Sequence, residues 1–152
     1  MGNHSVSGSP ISAFGDAVLT TLLEDDALIA IVSTRIKASL KRSEKTVMPY
    51  IVGGRRDLWP GESLSMQSDG GRVEIWLDFW SEANGPNEVE RMMARARAVL
   101  QRRPLRLDGF VMIGGSLRCE EERVIPDFDP DMPQKSLFHG VQRWAADVDE
   151  AV

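Results

Sequence analysis

The chain carries one cysteine, Cys119, two histidines and one tyrosine among 152 residues. A single thiol excludes an internal disulfide and gives no sign of an oxidising compartment. No apolar run approaches the length of a bilayer span. Met1 to Pro10 is polar and rich in Gly and Ser, with no apolar segment of signal-peptide type, so the cytoplasm is the default compartment and no membrane partner is expected. Met1-Gly2 has the look of a myristoylation start, but Val6 stands where Ser or Thr is required. Motifs of catalysis are missing as well: there is no GxxxxGK[ST] loop, no HExxH, no CxxC and no nucleophile elbow. Positive charge is in deficit, 18 Lys and Arg against 23 Asp and Glu for a net charge of −5. That balance argues against a general grip on nucleic acid.

What is present is ordinary globular composition, 42% apolar and 27% charged, at a length that suits one domain with a core needing no disulfide or metal. Residues 1–10 read as a flexible arm and 11–150 as the domain. Ser9-Pro10-Ile11-Ser12 offers several helix caps with Pro10 in the first turn. Ile11, Phe14, Val18, Leu22 and Leu23 form the stripe that follows. Asp26 is positioned to cap a second short helix, and Ala27 to Val32 is apolar all round, which predicts burial. Ile36 to Leu40 is short strand material, Lys41 to Val47 an exposed loop. Met48 to Val52 is a strand entered through a proline and continued or bulged at Gly53-Gly54; Trp59-Pro60-Gly61 and Ser68 to Gly71 are turn chemistry.

The most informative stretch is Arg72 to Leu100. Val73, Ile75, Leu77 and Phe79 alternate with Arg72, Glu74, Trp76, Asp78 and Trp80, a period-2 pattern with one dry face. After Pro86, the apolar positions Val89, Met92, Met93, Ala96, Val99 and Leu100 fall on one helical stripe. Asp108-Gly109 is a hairpin turn, Phe110 to Ile113 and Leu117 to Ile125 are strands, and Pro126 to Pro133 reads as an acidic, proline-rich loop. Leu137 to Val148 is a closing strand with apolar bulk on both faces, hence central or covered, and Trp144 is core. The sum is an α+β fold, two helices packed on a mainly antiparallel sheet of about four to five strands in a single compact domain.

Candidate chemistry is thin. Acids flank Cys119 in Arg118-Cys119-Glu120-Glu121-Glu122 and disfavour its thiolate, and His139 sits in an apolar strand, so both read as structural; a thiol hydrolase using the two is a distant alternative. Asp127, Asp129 and Asp131 imitate the opening of a calcium loop, but Met132 and Phe138 stand where its glycine and bidentate glutamate belong. No metal and no cofactor is implied. Arg55 and Arg56 end a strand without a phosphate cradle, and Arg35, Lys37, Lys41 and Arg42 precede them in a basic run. That run is the basis of a second alternative, a small nucleic-acid-binding module. Trp76 and Trp80 share a face with Glu74 and Asp78, and tryptophan beside charge is the composition of a protein interface.

Four pieces in order bring a family into view. They are the opening helix with Asp26 to Val32 and Arg35-Ile36, Met48 to Val52, Arg72 to Trp80 with its Ala- and Arg-rich helix, and Leu137 to Trp144. Together they span Ile11 to Val148, and the chain resembles the tail-completion, or tail-terminator, proteins of long-tailed bacteriophages and gene-transfer particles. The resemblance implies a small non-enzymatic α+β subunit of the virion. Such a subunit closes into a homo-oligomeric ring, typically a hexamer, at the head–tail junction, with the tail tube protein and the head-connector protein as partners; another head–tail adaptor is the alternative. In that setting Trp76, Trp80, Glu74, Asp78, Arg55 and Arg56 are the expected subunit interface. Arg35, Lys37, Lys41 and Arg42 are then an edge facing a partner or the lumen, where contact with DNA would be weak and salt-sensitive.

Overall fold

A computed structural model describes residues 9–40, 47–60, 71–129 and 132–151. In chain order these form α1 (Pro10–Leu23), α2 (Asp26–Val32), β1 (Ile36–Lys37), β2 (Tyr50–Pro60), β3 (Gly71–Ser81), α3 (Asn87–Leu100), β4 (Phe110–Met112), β5 (Arg118–Asp129) and β6 (Met132–Glu150). The fold is α+β as expected, with three helices and six strands rather than two and four to five. Residues 1–8 of the expected arm lie outside the described residues, as do Lys41, Arg42 and Asp131, while Ser9 and Pro10 already belong to the start of α1.

Local chemistry sets the helices. Ser9 caps α1, its hydroxyl accepting from the Ser12 N–H at 3.2 Å, and Pro10 fills the first turn where no N–H is needed. Phe14, Val18, Leu19 and Leu22 are buried; Leu23 is exposed, so Leu19 takes the place expected for it. The cap of α2 is Asp25, one residue before the expected Asp26, and its carboxylate accepts from the Leu28 N–H at 2.9 Å. Only Leu28 and Val32 of α2 are buried, because this short helix lies against α1 and α3 at the margin of the layer instead of inside it. The α3 stripe is buried at every expected position.

The strands pair in the order β1-β2-β3-β6-β4, with β5 also on β6; β1 and β2 are parallel and all other pairs antiparallel. β6 is long enough to hold β3 along one side while β5 and β4 follow one another along the other, which explains why both of its faces are apolar. Two expected turns are strand instead. Trp59 and Pro60 end β2, and Pro126 and Asp127 continue β5 opposite Phe138 and Leu137, so the described start of the expected acidic loop, Pro126 to Asp129, is strand. A proline is tolerated in each because the strand has a single neighbour there and the missing N–H faces away from it. Asp108-Gly109 does turn as expected, between the bridged Leu107 and Phe110, with Gly109 at φ 83°.

Alternation along β3 sorts the sheet into two faces. Val73, Ile75, Leu77 and Phe79 are fully buried beneath α1 and α3. On the same side Gly140 of β6 makes room for α3: a Cβ there would meet Met93 Sδ at 2.4 Å and Val89 at 3.0 Å. Two polar side chains enter this layer, Ser81, whose hydroxyl donates to Glu88 of α3 at 2.7 Å, and Gln142. Gln142 is wholly buried, its amide donating to Met93 O at 2.9 Å and Glu122 at 2.6 Å while its Oε1 accepts from Trp144 Nε1 at 3.0 Å. Arg97 of α3 closes the group by holding Glu122 at 2.7 Å.

Asp25 joins the helices to each other, since Arg95 of α3 grips both of its carboxylate oxygens at 2.8 Å. That hydrogen bond holds the carboxyl below its ordinary value of 3.8, against an opposing effect of burial. A depressed folded-state pKa stabilises fully above the ordinary value and loses that stability as pH falls through the folded one. Asp25→Asn keeps a capping oxygen but no charge, so it should lower stability at neutral pH and flatten the acid limb below about pH 3.8. Urea unfolding of both proteins across pH 2 to 6 checks this.

Candidate assembly face

The helices cover one side of the sheet, and the expected interface residues other than Arg56 lie together on the other. Cross-strand rows of Tyr50, Trp80 and His139, of Arg55, Trp76 and Arg143, and of Asp57, Glu74 and Ala145 follow from the pairing of β2, β3 and β6. In the first row the Trp80 indole stacks on His139 with centroids 4.0 Å apart and on Tyr50 at 6.4 Å. His139 Nε2 sits 2.7 Å from Asp78 Oδ1, the hydrogen-bonded structural role expected of it. Burial, and the Asp78 charge after it, push the Tyr50 phenol above its ordinary value.

Trp76 lies between two guanidinium groups, Arg55 at 4.6 Å and Arg143 at 5.5 Å from the ring centroid. Its Nε1 is buried and has no hydrogen-bond partner among the described residues. Glu74, expected on a wet face, is only 6% exposed. Arg143 at 3.0 Å and Arg72 at 3.1 Å satisfy its carboxylate. The charges continue from Arg72 to Glu120 and from Glu120 to Arg118. Paired guanidiniums are what allow a carboxylate to be buried at this position.

The basic run is mostly committed elsewhere. Arg35 donates to Pro49 O at 2.8 Å, and Arg56 crosses α1 over Gly15 to reach Asp16 at 3.3 Å and Gly53 O at 3.2 Å. Arg56 therefore faces the helices and not the open face it was grouped with. Arg55 stays on the open face, 3.8 Å from Asp57, and Lys37 is exposed at the end of β1. Exposed arginines with no ion pair among the described residues are instead Arg91, Arg102, Arg103, Arg106 and Arg123. Arg72 and Arg143 were not singled out in sequence; their positions opposite Asp147 and Trp76 become visible only with the β3–β6 register.

Cys119 and His139 do not meet. Cys119 pairs with Trp144 on the helix side, while His139 stacks on Trp80 on the open side. The Cys119 Sγ–H donates to Glu121 O at 3.3 Å, and burial, then the Glu122 charge, raise the thiol pKa. An open groove of about 610 Å³ between α1 and residues 103–108 is lined by Asp16, Glu24, Arg103 and Arg106. Among the described residues no group of three metal-ligand side chains forms, and no helix is long and apolar enough to cross a membrane.

The geometry is that of a two-layer subunit with one finished face and one polar–aromatic face. Its sequence matches the model of the tail completion protein gp17 family over residues 16–148. The chain belongs to that family. This tail completion protein is therefore a structural protein of a phage-type tail, found in the virion. Its fold is similar to that of a chain in a solved structure described as the virion of a native gene transfer agent particle. The TM-score is 0.77 at 17% identity, covering 93% of this chain and 99% of that one. A search of curated protein sequences finds no match.

A raised thiol pKa makes a slow nucleophile. Cys119 in the folded tail completion protein should alkylate with iodoacetamide at pH 7 at least about tenfold more slowly than in urea, where only a thiol of ordinary pKa remains; mass spectrometry of timed samples reads the difference.

Proposed function

We propose that this tail completion protein is the ring-forming tail terminator, a hexameric subunit that caps the tail tube and joins it to the head connector at the head–tail junction. The observation that carries the reading is the face of the sheet that no described element covers. All three helices lie on the opposite side, and the uncovered side holds half-exposed Tyr50, Trp76 and Trp80 framed by Arg55, Asp78 and Arg143. Aromatic and arginine side chains dominate binding energy at protein interfaces, and a rigid, pre-ordered array of them limits the entropy lost on docking. An aromatic and arginine-rich face with no covering layer among the described residues suits a neighbour in an assembly better than bulk water.

A closed ring requires two different patches on each copy that fit one another. The Trp76 and Trp80 face, with Glu74, Asp78 and Arg55, forms part of one such surface, and Arg56 stands at the β2 border behind it. Arg35, Lys37, Lys41 and Arg42 precede that border in the chain and are the edge proposed to meet a partner or the lumen. Any touch on passing DNA there is weak, since the chain as a whole is acidic.

Removing the Trp76 ring unseats both guanidiniums that hold it. Trp76→Ala should reduce the ring fraction about 30-fold at fixed protein concentration, the scale of an interface hot spot of about 2 kcal/mol, while Trp76→Phe retains most of it. Mass photometry of the purified variants, with melting temperatures to confirm folding, makes the comparison. Folded Trp76→Ala protein that assembles as the parent does would overturn the role given to this face.

A further inference from the structure

The sheet ends on both sides in a strand with a bare outer edge. Beyond Val52, β2 has β3 on one side and no strand on the other among the described residues, and β5 pairs with β6 alone. Two prolines reveal which backbone groups are unused. Pro60 and Pro126 each turn a nitrogen without hydrogen away from the partner strand, and residues two apart in a strand point the same way. Arg56 and Leu58 on β2, and Glu122 and Val124 on β5, thus aim their N–H and C=O groups outward.

Independent hydrogen bonds give the same parity. The Ile51 N–H points outward to Arg35 O at 2.9 Å, and the register shift after Val52 carries that direction to Arg56. The Cys119 N–H points outward to Gln101 Oε1 at 3.4 Å, and the shift after Cys119 carries it to Glu122.

The two edges also read alike. Arg56-Asp57-Leu58-Trp59-Pro60 and Glu122-Arg123-Val124-Ile125-Pro126 run charge, opposite charge, aliphatic, large apolar, proline, with the charges reversed between them. Each carries a large apolar side chain left in solvent, Trp59 at 58% and Ile125 at 38% exposure. Arg123 has no ion pair among the described residues, and Asp57 has only Arg55 at 3.8 Å.

We propose that, in the ring inferred above, β5 of one copy pairs antiparallel with β2 of the next, in the register that sets Arg123 against Asp57. The direction follows from the topology. Antiparallel steps from β2 through β3 and β6 to β5 leave the two edge strands opposed, and rotation about an axis running with the strands preserves that opposition. The register places the outward groups of Arg56 against those of Val124, and of Leu58 against Glu122. The paired stretch is Arg56 to Leu58, since at Gly54 the Ala38 carbonyl of the same copy already lies against the edge. Within one copy Arg123 shares a row with Val141, Asp78 and Val52, so the seam staggers successive copies along the strands, the tilt that closed sheets require. Asp57 and Trp59, like Arg123 and Ile125, lie on the open side of the sheet. The seam therefore continues the aromatic face from one copy to the next.

Hydrogen exchange of the assembled protein against dilute monomer tests the seam. The amides of Arg56, Leu58, Glu122 and Val124 should slow at least tenfold on assembly. Asp57→Arg should lower the ring fraction about tenfold, and Asp57→Arg with Arg123→Asp should restore it, each variant checked for folding by its melting temperature. Rings whose edge amides exchange as fast as in the monomer, with no rescue by the double substitution, would overturn the seam and leave the ring reading standing. A protein that forms no ring at any concentration would overturn both.

Discussion

A buried amide in the middle of the longest strand ties the two layers together. Gln142 takes its partners from α3, β5 and its own strand, through Met93 O, Glu122 and Trp144. Every polar atom of the side chain is satisfied, and that is the condition under which such a group fixes one packing instead of costing stability. The consequence for shape is direct. With Gln142 anchoring α3 over β6, and Gly140 letting the helix approach, the apolar side of the sheet is taken up within the subunit, and the sheet itself can meet a partner only through its other side or its edges.

That other side is built from pairs a core would exclude. Glu74 is buried because Arg72 and Arg143 hold it, and Trp76 is half-buried because Arg55 and Arg143 flank its ring. The arginines serve two roles at once, neutralising a carboxylate and covering an indole, and the array is rigid before any partner arrives. Trp76 Nε1 remains without a hydrogen-bond partner among the described residues.

Much of this was legible from residue order. β3 and α3 were readable nearly to the residue, since each repeats its own period over more than two turns or pleats and competes with no other signal. The shared face of Trp76, Trp80, Glu74 and Asp78 came with that period. The ends of β2 and the β5–β6 hairpin were not legible, because Pro60, Pro126 and the nearby aspartates carry turn chemistry that an edge strand tolerates and a central one would not. α2 looked buried on composition, but burial of a short helix depends on where it docks. The guanidiniums around Trp76 come from Arg55 on β2 and Arg143 on β6, brought together only by register. Of the basic residues that seemed available, Arg35 and Arg56 are spent inside the subunit, on Pro49 O, Gly53 O and Asp16.

The central claim, that a subunit of this shape ends the tail and joins it to the head, is tested most directly by electron microscopy of particles assembled without this protein. The account predicts tails of irregular or excessive length and filled heads that stay separate from them. Tails of normal length joined to heads would contradict it.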